Sequence, residues 1–189
     1  MKARSPFVPW LAVAAGLMFG AVFSGAAESS AKSPETKLRP LVFGSIERMH
    51  RFGDIYLSSQ PSKEDFELAK EAGFRTVINL RKEEELDWDE KGAVEKLGME
   101  YQNLGFKAPE ELTDRILDEV RQLLASSDKM PILLHCSSAN RVGAAWLAHR
   151  VLDGGLGFED ARLEAETVGL KLPAYVERAR SYIGRRAKK

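Results

Sequence analysis

Residues capable of chemistry concentrate in one stretch, Ile132-Leu-Leu-His-Cys-Ser-Ser-Ala-Asn-Arg-Val-Gly-Ala-Ala-Trp146. An apolar run, read as a buried strand, ends in Cys136 and four small or polar residues, Ser137, Ser138, Ala139 and Asn140. A helix is expected from Arg141. Small side chains leave the backbone open, so the N–H groups of Ser137 to Val142, including the orphan donors of a helix start, can converge on one anion. Arg141 adds a planar, charged fork suited to a tetrahedral oxyanion. Free thiols titrate near pH 8.5, and a helix start beside an arginine favours the thiolate form. The spacing therefore supplies a candidate nucleophile, Cys136, and a pocket for the group it would attack. The plain alternative is a buried structural cysteine; the arginine, the polar loop and the following helix together favour the anion site.

The elements that must position this loop are readable around it. Asp54-Ile-Tyr-Leu-Ser58 is a short strand candidate. Ser62, with Asp65 three residues on, reads as the cap of a helix that Gly73 stops. Thr76-Val-Ile-Asn-Leu80 is a second strand. Lys82 to Glu90 is an acidic run, Ala93 to Leu97 a short helix, and Met99 to Leu104 another strand. From Glu110 to Ser126, Ile116, Val120 and Leu124 form a helical stripe. Arg141 to Leu152, Phe158 to Val168 and Pro173 to Ile183 read as three more helices, and the basic tail from Arg185 as solvated charge. Strands alternating with helices predict an α/β fold: a mostly parallel central sheet with helices on both faces. Ligands of such sheets sit at the carboxyl ends of the strands, where Cys136 falls.

Composition narrows the function. The chain has 189 residues and a formal net charge of zero, so no global charge draws it to nucleic acid. One cysteine excludes an internal disulfide and a multi-cysteine zinc site; His50, His135 and His149 show no metal-ligand spacing. Residues 1–27 have the three parts of a secretory signal: basic Lys2 and Arg4, an apolar run from Phe7 to Phe23, and small residues Ser24 to Ala27. Cleavage there gives a secreted or periplasmic protein; the alternative is a membrane anchor over residues 7–23, the only membrane contact expected. Cleavage would also remove Lys2 and Arg4, turning the formal charge to −2. Residues 28–40 read as a flexible linker and 41–189 as the folded domain.

His135-Cys136 with Arg141 resembles the signature of the cysteine-dependent tyrosine and dual-specificity phosphatases. Tyr56-Leu-Ser-Ser-Gln-Pro-Ser62 and Ala72-Gly-Phe-Arg-Thr-Val-Ile-Asn-Leu-Arg81 look like the start of their domain, most similar to the small bacterial beta-lactamase-hydrolase-like phosphatases. The resemblance spans about Val42 to Ile183. It implies a phosphatase-like fold and a phosphorylated substrate. Cys136 would form a phosphocysteine, and Arg141 and the N–H groups of residues 137–142 would hold the phosphoryl oxygens, without metal or cofactor. Two departures keep other readings open. Those phosphatases usually have one residue more between Cys and Arg; the length here is that of rhodanese-type sulfurtransferases, whose cysteine carries a persulfide. Ala139 also stands where glycine is usual in both families, so a positive φ there is disfavoured. The phosphatases further supply an Asp general acid from an upstream loop, whereas Leu104-Gly-Phe-Lys-Ala-Pro-Glu110 has none. Asp87, Asp89, Glu110 and Asp114 are the substitutes to consider, each more often a solvated carboxylate. His135 reads as a core histidine bracing the loop and His149 as non-catalytic. A module that binds phosphate or sulfate without turnover is the third reading.

Overall fold

The structure, a computed structural model, describes residues 37–188. The expected signal segment and most of the expected linker lie outside them.

Six strands form one sheet: β1 (Arg39–Pro40), β2 (Met49–Phe52), β3 (Ile55–Ser58), β4 (Thr76–Asn79), β5 (Glu100–Asn103) and β6 (Ile132–His135). Their order is β1-β2-β3-β6-β4-β5. β3, β6, β4 and β5 run parallel, with β6 between β3 and β4. β1 and β2 add an antiparallel edge, which the sequence reading did not contain. Arg39 and Pro40, read there as the end of a linker, pair with Arg51 and His50, so sheet structure begins before Leu41. A two-residue strand beside a proline carries no periodic signal.

Successive residues of the inner strands face opposite layers. Ile132 and Leu134 of β6 and Ile78 of β4 join one core, while Leu133 and Val77 join the other. The first core is covered by α3 (Asp114–Ala125), α4 (Asn140–Leu152), α5 (Phe158–Val168) and α6 (Pro173–Arg186); the second by α1 (Lys63–Glu71) and α2 (Glu90–Lys96). Helices thus lie on both faces, as crossovers between parallel strands require.

The local signals act as expected at most boundaries. The Ser62 hydroxyl accepts from the Asp65 N–H, the Asp65 carboxylate accepts from the Ser62 N–H, and Gly73 takes a φ of +86° beyond the helix. α3 starts later than its apolar pattern suggests. Pro109 opens a separate turn, Pro109–Glu111, and Thr113 caps the helix by accepting from the Ile116 N–H at 3.3 Å. α4 is buried from Arg141 to Arg150, the expected state of a helix enclosed by a sheet and three other helices. Its first turn is approached closely by α5: a Cβ on Gly143 would lie 2.8 Å from the Ala165 carbonyl oxygen. The basic tail is not merely solvated. Arg185 donates to Asp114 at 2.6 and 2.9 Å, and Arg186 donates to Asp118, fastening α6 to α3.

Candidate active site

β6 delivers Cys136 to the carboxyl edge of the sheet, between the ends of β3 and β4. The Cys136 N–H donates to the Ser58 carbonyl at 3.4 Å, the Leu80 N–H to the His135 carbonyl at 2.9 Å, and the Gln60 N–H to the Ser137 carbonyl at 3.2 Å. The segments Tyr56–Ser62 and Thr76–Arg81 therefore grip the cysteine from both sides.

Beyond that point the donors are free. Among the described residues, the N–H groups of Ser137, Ser138, Ala139, Asn140, Arg141 and Val142 find no protein acceptor; the first loop-to-helix bond is Gly143 N–H to the Ala139 carbonyl at 2.9 Å. The last three are the ordinary orphans of a helix start, and the loop adds three more in sequence. Ala139 permits the turn by taking a φ of +66°, the left-handed region the sequence reading considered disfavoured for it. What holds it there is packing: Ala139 is fully buried against Gly169, where a Cβ would come within 3.0 Å of the Ala139 methyl. The Asn140 side chain holds the same segment by accepting from Lys171 N–H at 2.8 Å and Leu172 N–H at 3.3 Å. Its side-chain oxygen is therefore scaffold, and its backbone N–H is left without a protein acceptor among the described residues. Ser137 and Ser138 are exposed.

Arg141, 8% exposed, is fixed by three elements. Its Nη1 donates to the carbonyls of Phe106 at 2.6 Å and Leu80 at 3.1 Å and to Glu85 at 2.7 Å; its Nη2 donates to Glu85 at 3.0 Å. Of the five guanidinium donors, this leaves the Nε–H and one Nη2–H, which share an edge and can take two oxygens of one anion. Burial opposes the Arg141 charge, but the Glu85 carboxylate outweighs it and raises the arginine's hold on its proton. Burial likewise opposes ionisation of Glu85, and the Arg141 guanidinium with the Lys82 N–H reverses this, holding its carboxyl below the ordinary range. The Tyr175 hydroxyl donates to the Lys107 carbonyl at 2.8 Å, and its ring meets Phe106 edge-on, bracing the backbone that Arg141 uses.

The four carboxylates weighed as general acids are placed elsewhere or left open. Asp89 caps α2 by accepting from the Gly92 N–H at 2.8 Å. Asp114 is held by Arg178 and Arg185, which keep its carboxyl low. Asp87 and Glu110 are exposed. Glu111 accepts from the Lys107 N–H and from Lys82. His149 pairs with Asp153, the residue that ends α4, at 3.1 Å, and burial lowers its pKa. Sequence reasoning missed Glu85, Gln60 and Arg81 as parts of the site. The acidic run gave no sign of which glutamate turns inward.

No family model matches the chain, and no curated protein matches it by sequence. Solved structures do match. The fold is like that of solved phosphatase structures. P. aeruginosa TpbA superposes with a TM-score of 0.60 at 22% identity, over 80% of this chain and 91% of its own. Tk-PTP, in a mutant form, gives 0.63 at 16% identity, over 79% and 97%. The core catalytic domain of the PP-IP phosphatase SIW14 from S. cerevisiae gives 0.58 at 19% identity, over 72% and 87%.

Proposed function

We propose that this protein is a cysteine-dependent phosphatase, a hydrolase of phosphoric monoesters in which Cys136 is the nucleophile. The observation that carries this reading is the run of six N–H groups, residues 137–142, with no protein acceptor among the described residues, together with the Arg141 guanidinium, whose Nε–H and one Nη2–H are left unused. Three phosphoryl oxygens need several donors, and this loop carries six N–H groups in sequence despite having only four residues between Cys136 and Arg141. The thiolate would attack phosphorus, forming an S–P bond as the P–O bond to the leaving group breaks. Water would then attack phosphorus, releasing inorganic phosphate and restoring the thiolate. The likeness to phosphatase structures supports phosphorus over sulfur chemistry, and Tyr56–Ser62 with Ala72–Arg81 supports kinship with the beta-lactamase-hydrolase-like phosphatases. TpbA has been solved in complex with pTyr, and SIW14 is a PP-IP phosphatase, so both aryl and polyphosphorylated substrates belong in a screen. The test is slow hydrolysis of p-nitrophenyl phosphate that is lost in Cys136→Ser; equal rates in both proteins would reject Cys136 as nucleophile.

One observation favours the oxyanion-binding module without turnover: residues 104–109 carry no carboxylate to protonate a leaving group. Export, which the basic start, apolar run and small residues of 1–27 support, is part of this proposal. Mass spectrometry of the native protein should find a chain beginning at Ala27 or Glu28, and an intact Met1 would favour the anchor instead.

A further inference from the structure

A buried hydrogen-bond network joins Glu90 to both halves of the site. Glu90 is 1% exposed. Its Oε2 accepts from Gln60 Nε2 at 2.6 Å; its Oε1 accepts from Asn79 Nδ2 at 2.7 Å and the Tyr101 hydroxyl at 2.9 Å. The His135 Nε2, next in sequence to Cys136, lies 3.2 Å from the same Oε1 but off a hydrogen-bond alignment. The polarity of each partner is fixed. Asn79 must present its NH₂ to Glu90, because its Oδ1 accepts from the Arg81 N–H at 2.7 Å. Gln60 must do the same, because its Oε1 accepts from Arg81 Nη1 at 2.7 Å. Position 90 is thus surrounded by donors, and only a group that accepts at both oxygens satisfies them. From Gln60 the network continues to the active loop through the Gln60 N–H on the Ser137 carbonyl. From Arg81 it continues through the Glu85 carbonyl to the carboxylate that clamps Arg141.

We infer that Glu90 is a positioning residue for oxyanion binding: its carboxylate fixes Gln60 and, through Gln60 and Arg81, the register of the Ser137 loop and of the Glu85–Arg141 pair. The inference rests on the reading of residues 136–142 as an oxyanion site. Glu90→Gln keeps the shape and replaces one acceptor by an NH₂. If that NH₂ faces Gln60, the Gln60 amide must turn over, and its own NH₂ then opposes the Arg81 guanidinium. The link to the site breaks at that point. Adding Gln60→Glu repairs it, since a carboxylate at position 60 accepts from both the new amide and Arg81. The two changes form a cycle in which each is harmful alone and the pair is not.

The probe is tungstate, a tetrahedral oxyanion, titrated calorimetrically against the folded full chain and its variants, alongside p-nitrophenyl phosphate turnover. Glu90→Gln is expected to weaken tungstate binding and lower kcat by about tenfold each, with KM for the ester changed under about threefold, and Gln60→Glu alone to do likewise. The double variant is expected to recover to within about threefold of the parent. A role in stability alone would lower the melting temperature without this pattern of rescue. Parent-like tungstate affinity in Glu90→Gln, or a double variant no better than Glu90→Gln or unable to fold, overturns the inference. If Glu90→Gln itself does not fold, Gln60→Glu and the double variant decide by the same comparison. A parent that binds tungstate but hydrolyses no ester rejects the phosphatase reading and leaves the tungstate cycle to judge Glu90; a parent that binds none rejects both.

Discussion

Glu85 grips the end of the Arg141 guanidinium with both carboxylate oxygens, at 2.7 and 3.0 Å, and so leaves the arginine's other edge, its Nε–H and one Nη2–H, unused. The two side chains are 16% and 9% exposed, so each neutralises a charge that water reaches poorly. The pair is a positioning device first. Without it, the arginine would keep its charge but lose the orientation that makes the charge useful.

Its energetics can be separated by pH. The Glu85 carboxyl titrates below its ordinary value of 4.5. A depressed folded value means the stabilisation is complete above the unfolded value and is lost as pH falls through the folded one. A fully buried pair broken on one side costs about 3–5 kcal/mol and an exposed pair about 1, so Glu85→Gln should cost about 2 kcal/mol at pH 7. Urea unfolding at pH 7 and pH 3 measures this: the gap between parent and variant should shrink at the lower pH. A gap of the same size at both would mean that the glutamate acts by packing and not by charge.

Ala139 tests what holds the loop in its left-handed turn. Relief of the positive φ in Ala139→Gly gains about 1–2 kcal/mol. Loss of the buried methyl costs about 0.8 kcal/mol, and the freer unfolded chain costs about 0.4–1 kcal/mol more. These offset, so the variant should stay within about 1 kcal/mol of the parent. Ala139→Val adds β-branching to the strained turn and bulk against Gly169, and should lose more than about 2 kcal/mol. Denaturant midpoints of the two variants decide it; a valine tolerated as well as glycine would show that Ala139 does not hold the strained conformation described here.

The loop from Leu104 to Pro109 has a structural task in place of an acidic one: the Phe106 carbonyl holds Arg141 and the Lys107 carbonyl holds Tyr175. Without general-acid help, typically worth ~10²–10⁴-fold, rate should depend steeply on the leaving group. Aryl phosphates with acidic phenols should be cleaved, and alkyl phosphates about 10²-fold more slowly or worse. Comparable rates on both would reveal an acid, and replacing Asp87 and Glu110 singly would locate it.

The active loop was legible because its chemistry is contiguous: strand, cysteine, small residues, arginine and helix follow one another within Ile132–Trp146. The parallel strands were legible for a related reason, since Thr76–Asn79 and Ile132–His135 are buried on both faces and read as short β-branched or apolar stretches ending in a polar residue. What stayed hidden depends on contacts far apart in sequence. Glu83, Glu84, Glu85 and Glu90 look alike in the acidic run, yet the first two face solvent, Glu85 meets Arg141 56 residues away, and Glu90 meets Gln60 30 residues back. The β2 strand, Met-His-Arg-Phe, shows no alternation, and only pairing with β3 makes it a strand. The tail arginines look solvated until α3 supplies Asp114 and Asp118.

As a nucleophile, Cys136 would take up the phosphoryl group on its Sγ. A carboxylate missing from the upstream loop would also slow water's attack on that intermediate, so a substrate with a good leaving group should let it build up. The direct measurement is acid quenching during turnover of 2,4-dinitrophenyl phosphate, followed by mass spectrometry of the peptide containing Cys136. One phosphoryl group is expected on Cys136, absent in Cys136→Ser. A cysteine that stays unmodified under turnover, but gains a persulfide from thiosulfate and passes it to cyanide, would contradict it and make the protein a sulfurtransferase.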